Sequence, residues 1–200
     1  MGSRADHALS RLLRHDAGAA GLPMDAAGWV PVAAVLAHLR LSQAELEAVV
    51  ATNNKQRLQL EGDRVRCCQG HSTAGMPVTH DALEASWMAW QPANLGARLW
   101  HGTRLEALDA IHTTGLSAQA RTHVHLAEAL DSTVGKRAQV AVMLAVDPAR
   151  LAAAGLGVWR APNGVVLART VPRACIVGIR PMTRAAQAIQ AALEATFGPA

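Results

Sequence analysis

The 200-residue sequence predicts a mixed α+β chain in two lobes, and three observations carry that prediction. Over the first fifty residues apolar side chains recur at helical spacing, and from Leu58 the period drops to two. Beyond residue 96 short strands alternate with short helices. Charge divides at the same place: residues 1–96 carry eight basic and nine acidic side chains, residues 97–200 eleven and six. The stretch between, Gln69 to Ala97, holds Gly70, Gly75, Pro77, Pro92 and Gly96, the composition of a linker or a crossing segment. The lobes are therefore placed at residues 4–86 and 96–200.

In the first lobe Leu9, Leu12 and Leu13 stand at i, i+3 and i+4, with Asp6 as a candidate N-cap, and predict a helix ending near Asp16. Pro31 opens a second helix, whose Val32, Val35, Leu36 and Leu39 form one apolar stripe. Ser42-Gln43-Ala44-Glu45 is a capping box for a third, with Leu46, Val49 and Val50 as its stripe. Leu58 and Leu60, the turn Glu61-Gly62-Asp63, then Val65 and Cys67 make a β-hairpin. Three helices and a hairpin in this order describe a winged helix, a relative of the helix-turn-helix that commonly binds nucleic acid and also serves in protein interactions.

In the second lobe a strand over Arg98 to Thr103 precedes a helix marked by Leu105, Leu108 and Ile111 and ended by Gly115. Strands follow at His123–Leu126 and at Val140–Val146, the latter continuously apolar as in a buried strand. A short helix at Pro148–Ala154 is closed by Gly155. Val158–Arg160 and Val165–Ala168 form a hairpin around Asn163-Gly164, Cys175–Ile179 is a last core strand, and Thr183–Phe197 a single alanine-rich helix.

Composition narrows the function classes. Half of the residues are apolar and 17% are charged, so the chain has the means to fold. The formal net charge of +4 is too small for a protein that coats nucleic acid, yet leaves room for a small phosphate site. Seventeen of the nineteen basic residues are Arg, the exceptions being Lys55 and Lys136. Arg offers a planar fork of donors suited to phosphate, although a GC-rich genome produces the same excess without a functional cause. Cys67, Cys68 and Cys175 have neither the number nor the spacing of a disulfide framework or a zinc site, which fits a reducing cytoplasm. No apolar run approaches the roughly 18 residues of a membrane span. A cytoplasmic monomer without a membrane partner is expected.

Several short stretches then stand in a telling order. They are Leu9-Ser10-Arg11-Leu12-Leu13-Arg14-His15, Gly28-Trp29-Val30, Lys55-Gln56-Arg57, Gln69-Gly70-His71-Ser72, His101-Gly102-Thr103 and Arg121-Thr122-His123-Val124-His125-Leu126. Gly135-Lys136-Arg137, Asn163-Gly164-Val165 and Val171-Pro172 complete the set. From about Leu9 to Ile179 the sequence closely resembles the RNA 2′-phosphotransferases, a family that includes the tRNA-splicing enzymes and their bacterial relatives. The resemblance implies a winged-helix RNA lobe followed by an NAD-binding lobe of ADP-ribosyltransferase type. It also implies the reaction. The 2′-phosphate of an RNA attacks the anomeric carbon of the nicotinamide ribose of NAD⁺ and expels nicotinamide. The neighbouring ribose hydroxyl then attacks that phosphate, releasing ADP-ribose 1″,2″-cyclic phosphate and RNA with a free 2′-OH.

By motif position the resemblance assigns catalysis to Arg14, His15, Arg57 and Arg121. The chemistry wants such groups. A phosphomonoester carries about −1.5 to −2 charges at neutral pH. Three guanidinium forks hold it through paired hydrogen bonds and stabilise charge on its oxygens. A histidine with an ordinary pKa of about 6.5 orients or deprotonates the attacking hydroxyl. On a helical wheel alone, Arg14 and His15 lie off the Leu9–Leu12–Leu13 stripe, as ordinary solvated residues do; the motif set gives them their role.

The resemblance assigns NAD, as co-substrate, to His101, Gly102, Thr103, His123, His125, Arg137 and Asn163. In His101-Gly102-Thr103 the glycine permits close backbone approach to the carboxamide, and the flanking side chains reach ribose hydroxyls. Two readings are open for Arg137, a phosphate ligand or a plain helix-terminal charge. Asn163-Gly164 is first of all a turn, Gly28-Trp29-Val30 structural, and Gln69–Ser72 either touches RNA or shapes the linker. His123 and His125, with no Cys or carboxylate partner near them in the sequence, are read as making no metal site. The sequence departs from the family at Leu58, where Phe is usual, and at Ala127, where Ser is common. Two alternatives stand beside the main reading. One is ADP-ribosylation of a terminal phosphate on RNA or DNA, and the other a non-enzymatic winged-helix nucleic-acid binder.

Overall fold

The computed structural model describes residues 4–92, 96–132 and 140–200 of the chain. Its first helix, α1 (Arg4–Arg11), buries Leu9 and Ser10 and passes into a π-helical turn over Leu12–Asp16. That turn is a departure from the continuous α-helix read from the leucine spacing. Its i→i+5 bonding resets the angular spacing of the side chains after Leu12, and such turns recur at functional sites. Asp6, read as the cap, lies inside the first helical turn instead, where a carboxylate faces the amide end of the dipole.

Strand β1 (Val30–Pro31) leads into α2 (Val32–Leu39), which ends with Arg40 in the left-handed region. Helix α3 (Gln43–Thr52) starts at the predicted capping box. The Glu45 carboxylate accepts from Ser42 N–H at 2.8 Å, and Ser42 Oγ accepts from Glu45 N–H at 3.3 Å. Strands β2 (Leu58–Glu61) and β3 (Arg64–Cys67) form the hairpin, with Glu61 facing Arg64 across the two residues Gly62 and Asp63. β1 adds to the other edge of β3, giving a three-stranded antiparallel sheet of order β1-β3-β2. Helix α4 (His80–Ala85) follows. Leu9, Leu13, Val30, Val35, Leu46, Leu58 and Val65 meet in one core. Cys67 is fully buried among them, its thiol pushed up to about 12 by burial, and all three cysteines are free.

Gly28 explains its motif. It holds φ +85, and a Cβ there would stand 2.8 Å from the ring of the fully buried His71. Beside it Trp29 takes the guanidinium groups of Arg64 and Arg66 on its ring, at 5.2 and 4.5 Å from the centroid. Arg64 and Arg66 are two apart on β3 and so share a face.

The later elements are β4 (Met88–Ala89), β5 (Leu99–Thr103), α5 (Leu108–Thr114), β6 (Leu116–Ser117), β7 (Val124–Leu126) and β8 (Val142–Val146). After them come α6 (Pro148–Ala153), β9 (Trp159–Arg160), β10 (Val166–Ala168), β11 (Thr170–Val171) and β12 (Ile176–Pro181). Three antiparallel sheets result, of order β12-β8-β5, β4-β9-β10-β7 and β11-β6. Every residue of β8 is buried, as a strand flanked on both edges within a core requires. The chain is thus α+β with several antiparallel sheets. The alanine-rich C-terminal segment is two helices, α7 (Arg184–Ala188) and α8 (Gln190–Phe197), and not one. The break is at Ile189, whose φ of −118° and ψ of 20° leave the helical region.

Two compact units divide the chain. The first holds Met1–Met88 together with Ala120–Thr122 and Ala161–Asn163, and the second holds Ala89–Gln119, His123–Arg160 and Gly164–Ala200. Among the described residues no helix is long and apolar enough to cross a membrane.

Candidate active site

Arg14 and His15 stand on the π-helical turn, half-buried, between the buried leucines that anchor it and the exposed face. Arg14 Nε donates to Ser10 C=O at 3.1 Å, one turn back, which stiffens an otherwise free side chain. His15 Nδ1 shares a 2.7 Å hydrogen bond with Ser72 Oγ, and Ser72 N–H donates to Arg14 C=O at 2.9 Å. Ser72 therefore holds both neighbours at once.

Arg121 reaches the same place by a route that the sequence order hides. Ser72 and Arg121 form an antiparallel bridge, with Thr73 N–H donating to Ala120 C=O and Thr122 N–H to His71 C=O, both at 3.1 Å. His80 Nε2 donates to Thr122 C=O at 2.9 Å. These bonds gather Ala120–Thr122 into the first unit, although they follow β6 in the chain. Arg121 Nη1 donates to Gly70 C=O at 2.6 Å. A Cβ on Gly70 would come 3.1 Å from Arg121 Nη1 and 3.4 Å from Arg14 Nη1, so the two guanidinium groups flank one glycine. Its φ of +86 and the crowding both call for glycine there.

Arg57 opens the hairpin. Its N–H donates to Asn53 Oδ1 at 2.7 Å and its C=O accepts from Cys68 N–H at 2.8 Å. Burial, and then the charge of Arg14, push the Arg57 guanidinium below its ordinary pKa. Lys55 is lowered by burial and by Arg57 and Arg14, so it joins the same cationic group. His15 is lowered from its ordinary 6.5 by burial first and then by the charges of Arg14 and Arg121. Among the described residues no carboxylate lies within ion-pairing distance of Arg14 or Arg57. Asp6 acts on Arg57, and Asp16 on His15, only as weaker opposing charges, so the group carries an excess of positive charge.

The residues read as an NAD set fall into three groups. His101, Gly102 and Thr103 lie on β5, paired to β8. His101 Nδ1 donates to His125 C=O at 3.0 Å, which puts the proton of the neutral ring on Nδ1. His123 precedes β7, buried, and meets Trp159 edge-to-face at 6.1 Å, while His125 lies on the strand itself. A Cβ on Gly102 would collide with the Val140 side chain, so this glycine answers to packing inside the unit. Ala127 and Trp100 exchange two backbone hydrogen bonds of 2.8 Å, a role that any side chain at Ala127 serves. Asn163 belongs instead to the first unit, where its Nδ2 donates to Lys55 C=O at 3.0 Å. Its buried Oδ1 has no hydrogen-bond partner among the described residues. Arg137 lies outside the described residues.

The sequence left Gly70 and Ser72 open between touching RNA and shaping the linker, and it gave no role to Asn53. The Gln69–Ser72 stretch signalled the first two, while Asn53 sits at a helix end with no mark of its own.

Comparison with known proteins gives this arrangement its family. The model for "RNA 2′-phosphotransferase, Tpt1 / KptA family" matches residues 3–170. A probable RNA 2′-phosphotransferase of Burkholderia lata is 41% identical over 179 residues, covering 85% of this chain and 87% of the relative. Relatives of the same name from Pseudomonas syringae pv. tomato and Streptomyces griseus subsp. griseus are each 38% identical, over 82% of this chain and 87% and 89% of their own lengths. The chain belongs to the RNA 2′-phosphotransferase family and is a transferase.

Proposed function

We propose that this enzyme removes a 2′-phosphate from RNA by transferring it to the ADP-ribose part of NAD⁺, with release of nicotinamide and regeneration of the 2′-OH. The observation that carries the reading is the meeting of Arg14, Arg57 and Lys55 beside His15, with no carboxylate pairing Arg14 or Arg57 among the described residues. A phosphate dianion balances this excess of positive charge. The guanidinium forks of Arg14, Arg57 and Arg121 bind its oxygens and stabilise the charge that builds there during phosphoryl transfer. His15, its pKa lowered by burial and then by the charges of Arg14 and Arg121, accepts the proton of the attacking ribose hydroxyl.

The three helices and hairpin of the first unit support a winged-helix reading, and the antiparallel sheets of the second an ADP-ribosyltransferase-like one. NAD⁺ supplies an electrophilic ribose carbon with nicotinamide as leaving group. The donor set on β5 suits it: an imidazole on His101, the Thr103 hydroxyl, and strand backbone able to pair with an amide. The reading is tested by nicotinamide release from NAD⁺ in the presence of RNA bearing an internal 2′-phosphate. Release that depends on that phosphate is expected; equal release with unphosphorylated RNA overturns the reading.

A further inference from the structure

Asn53 is only 5% exposed, and both ends of its amide are used. Nδ2 donates to Asp6 Oδ1 at 2.6 Å, and Oδ1 accepts from Arg57 N–H at 2.7 Å. Its backbone C=O accepts from Gln56 N–H at 2.9 Å, closing a tight turn in which Gln56 takes φ 47. The other side of the contact continues as far. Ser10 Oγ donates to the same Asp6 oxygen at 3.3 Å, and Ser10 C=O accepts from Arg14 Nε at 3.1 Å. An unbroken hydrogen-bonded chain thus runs Arg14–Ser10–Asp6–Asn53–Arg57, joining α1 to the start of the hairpin.

A helix end needs only a backbone or solvent partner for its last carbonyls. A buried amide that bonds a carboxylate 47 residues away serves something else. The like charges of Arg14 and Arg57 repel, and the hydrogen-bonded scaffold that includes Asp6 holds them in place. We propose that Asn53 is a positioning residue of the transferase reaction, fixing Arg57 against Arg14 so that both guanidinium groups address one phosphate. The proposal rests on the reading of Arg14 and Arg57 as phosphate ligands. Asn163, donating to Lys55 C=O, pins the middle of the same turn.

The test uses the full chain in single turnover with NAD⁺ and a 2′-phosphorylated RNA. Asn53→Ala is expected to slow phosphate transfer by about 10- to 100-fold, the scale of a small misplacement, with the KM for NAD⁺ unchanged. Adding Asn53→Ala to Arg57→Ala is expected to cost nothing more, since Asn53 acts through Arg57. Multiplying losses in the double variant overturn the proposal. The charge swap D6N/N53D keeps the folded relay: the carboxylate at position 53 accepts both from the amide at position 6 and from Arg57 N–H. It is expected to return to within roughly threefold of the wild type, whereas N53D alone sets two carboxylates face to face and stays slow. A swap as slow as N53D contradicts the proposal. Failure of the functional reading looks different, because the wild type itself then moves no phosphate. In that event titration of a nucleoside 2′-phosphate, followed at the Arg57 amide by NMR, still decides. Weaker binding in Asn53→Ala, by tenfold or more, supports the positioning role, and unchanged binding removes it.

Discussion

His15 Nδ1 and Ser72 Oγ stand 2.7 Å apart, and the same serine donates its backbone N–H to Arg14 C=O at 2.9 Å. One residue thereby sets the ring orientation of the candidate base and the backbone of its neighbouring arginine. Ser72→Ala keeps the backbone bond and removes only the hydroxyl. A single hydrogen bond is worth about 0.5–1.5 kcal/mol, so transfer is expected to slow roughly three- to tenfold in single turnover. Ser72→Thr, which retains a hydroxyl, is expected to recover most of the rate. A Ser72→Ala rate equal to wild type means that the contact does not orient His15 for catalysis.

The pH dependence follows from the direction of the His15 shift. Burial and the charges of Arg14 and Arg121 hold its folded pKa below the ordinary 6.5. The unfolded chain then binds the proton more readily than the folded one. This contribution to stability is complete above pH 6.5 and is lost as pH falls through the lowered folded pKa. The acid limb of kcat/KM is expected in the same window, below 6.5, because the neutral ring is the active form. An NMR titration of the ring checks this, and a His15 midpoint above 6.5 contradicts it.

Arg57→Ala and Arg121→Ala are expected to slow the transesterification step much more than they weaken NAD⁺ binding. Losing one donor group on a developing oxyanion costs about 10²–10³ in rate. Rapid-quench kinetics with phosphate-labelled RNA, alongside NAD⁺ titration, separates the two effects. Unchanged turnover in either variant removes that arginine from the site.

Much of this was legible in the sequence, because local rules govern it. The capping box at Ser42, the hairpin around Gly62 and the buried strand Val142–Val146 follow from patterns within a dozen residues. The π-helical turn under Arg14 and His15 was not legible, since the leucine spacing fits an α-helix as well. Nor was the route that brings Arg121 to Arg14, a grouping the motif set implied, because it depends on backbone pairing with Ser72, 49 positions earlier in the chain. The Asp6–Asn53 contact and the move of Asn163 to Lys55 are equally non-local. Periodicity places elements; it says nothing of which loop meets which.

Gly28→Ala tests the explanation of the Gly28-Trp29 motif. The added Cβ meets the His71 ring at 2.8 Å and takes a left-handed φ, so a loss of about 1–3 kcal/mol is expected. Thermal unfolding reads it, and a melting temperature equal to wild type contradicts the packing described here.

The central claim is that the enzyme moves a 2′-phosphate from RNA to ADP-ribose. It is tested most directly by labelling that phosphate and following it in the presence of NAD⁺. The label is expected to leave the RNA as ADP-ribose 1″,2″-cyclic phosphate while the RNA recovers a free 2′-OH. Label that stays on ADP-ribosylated RNA as the end product, or that never leaves unmodified RNA, contradicts it.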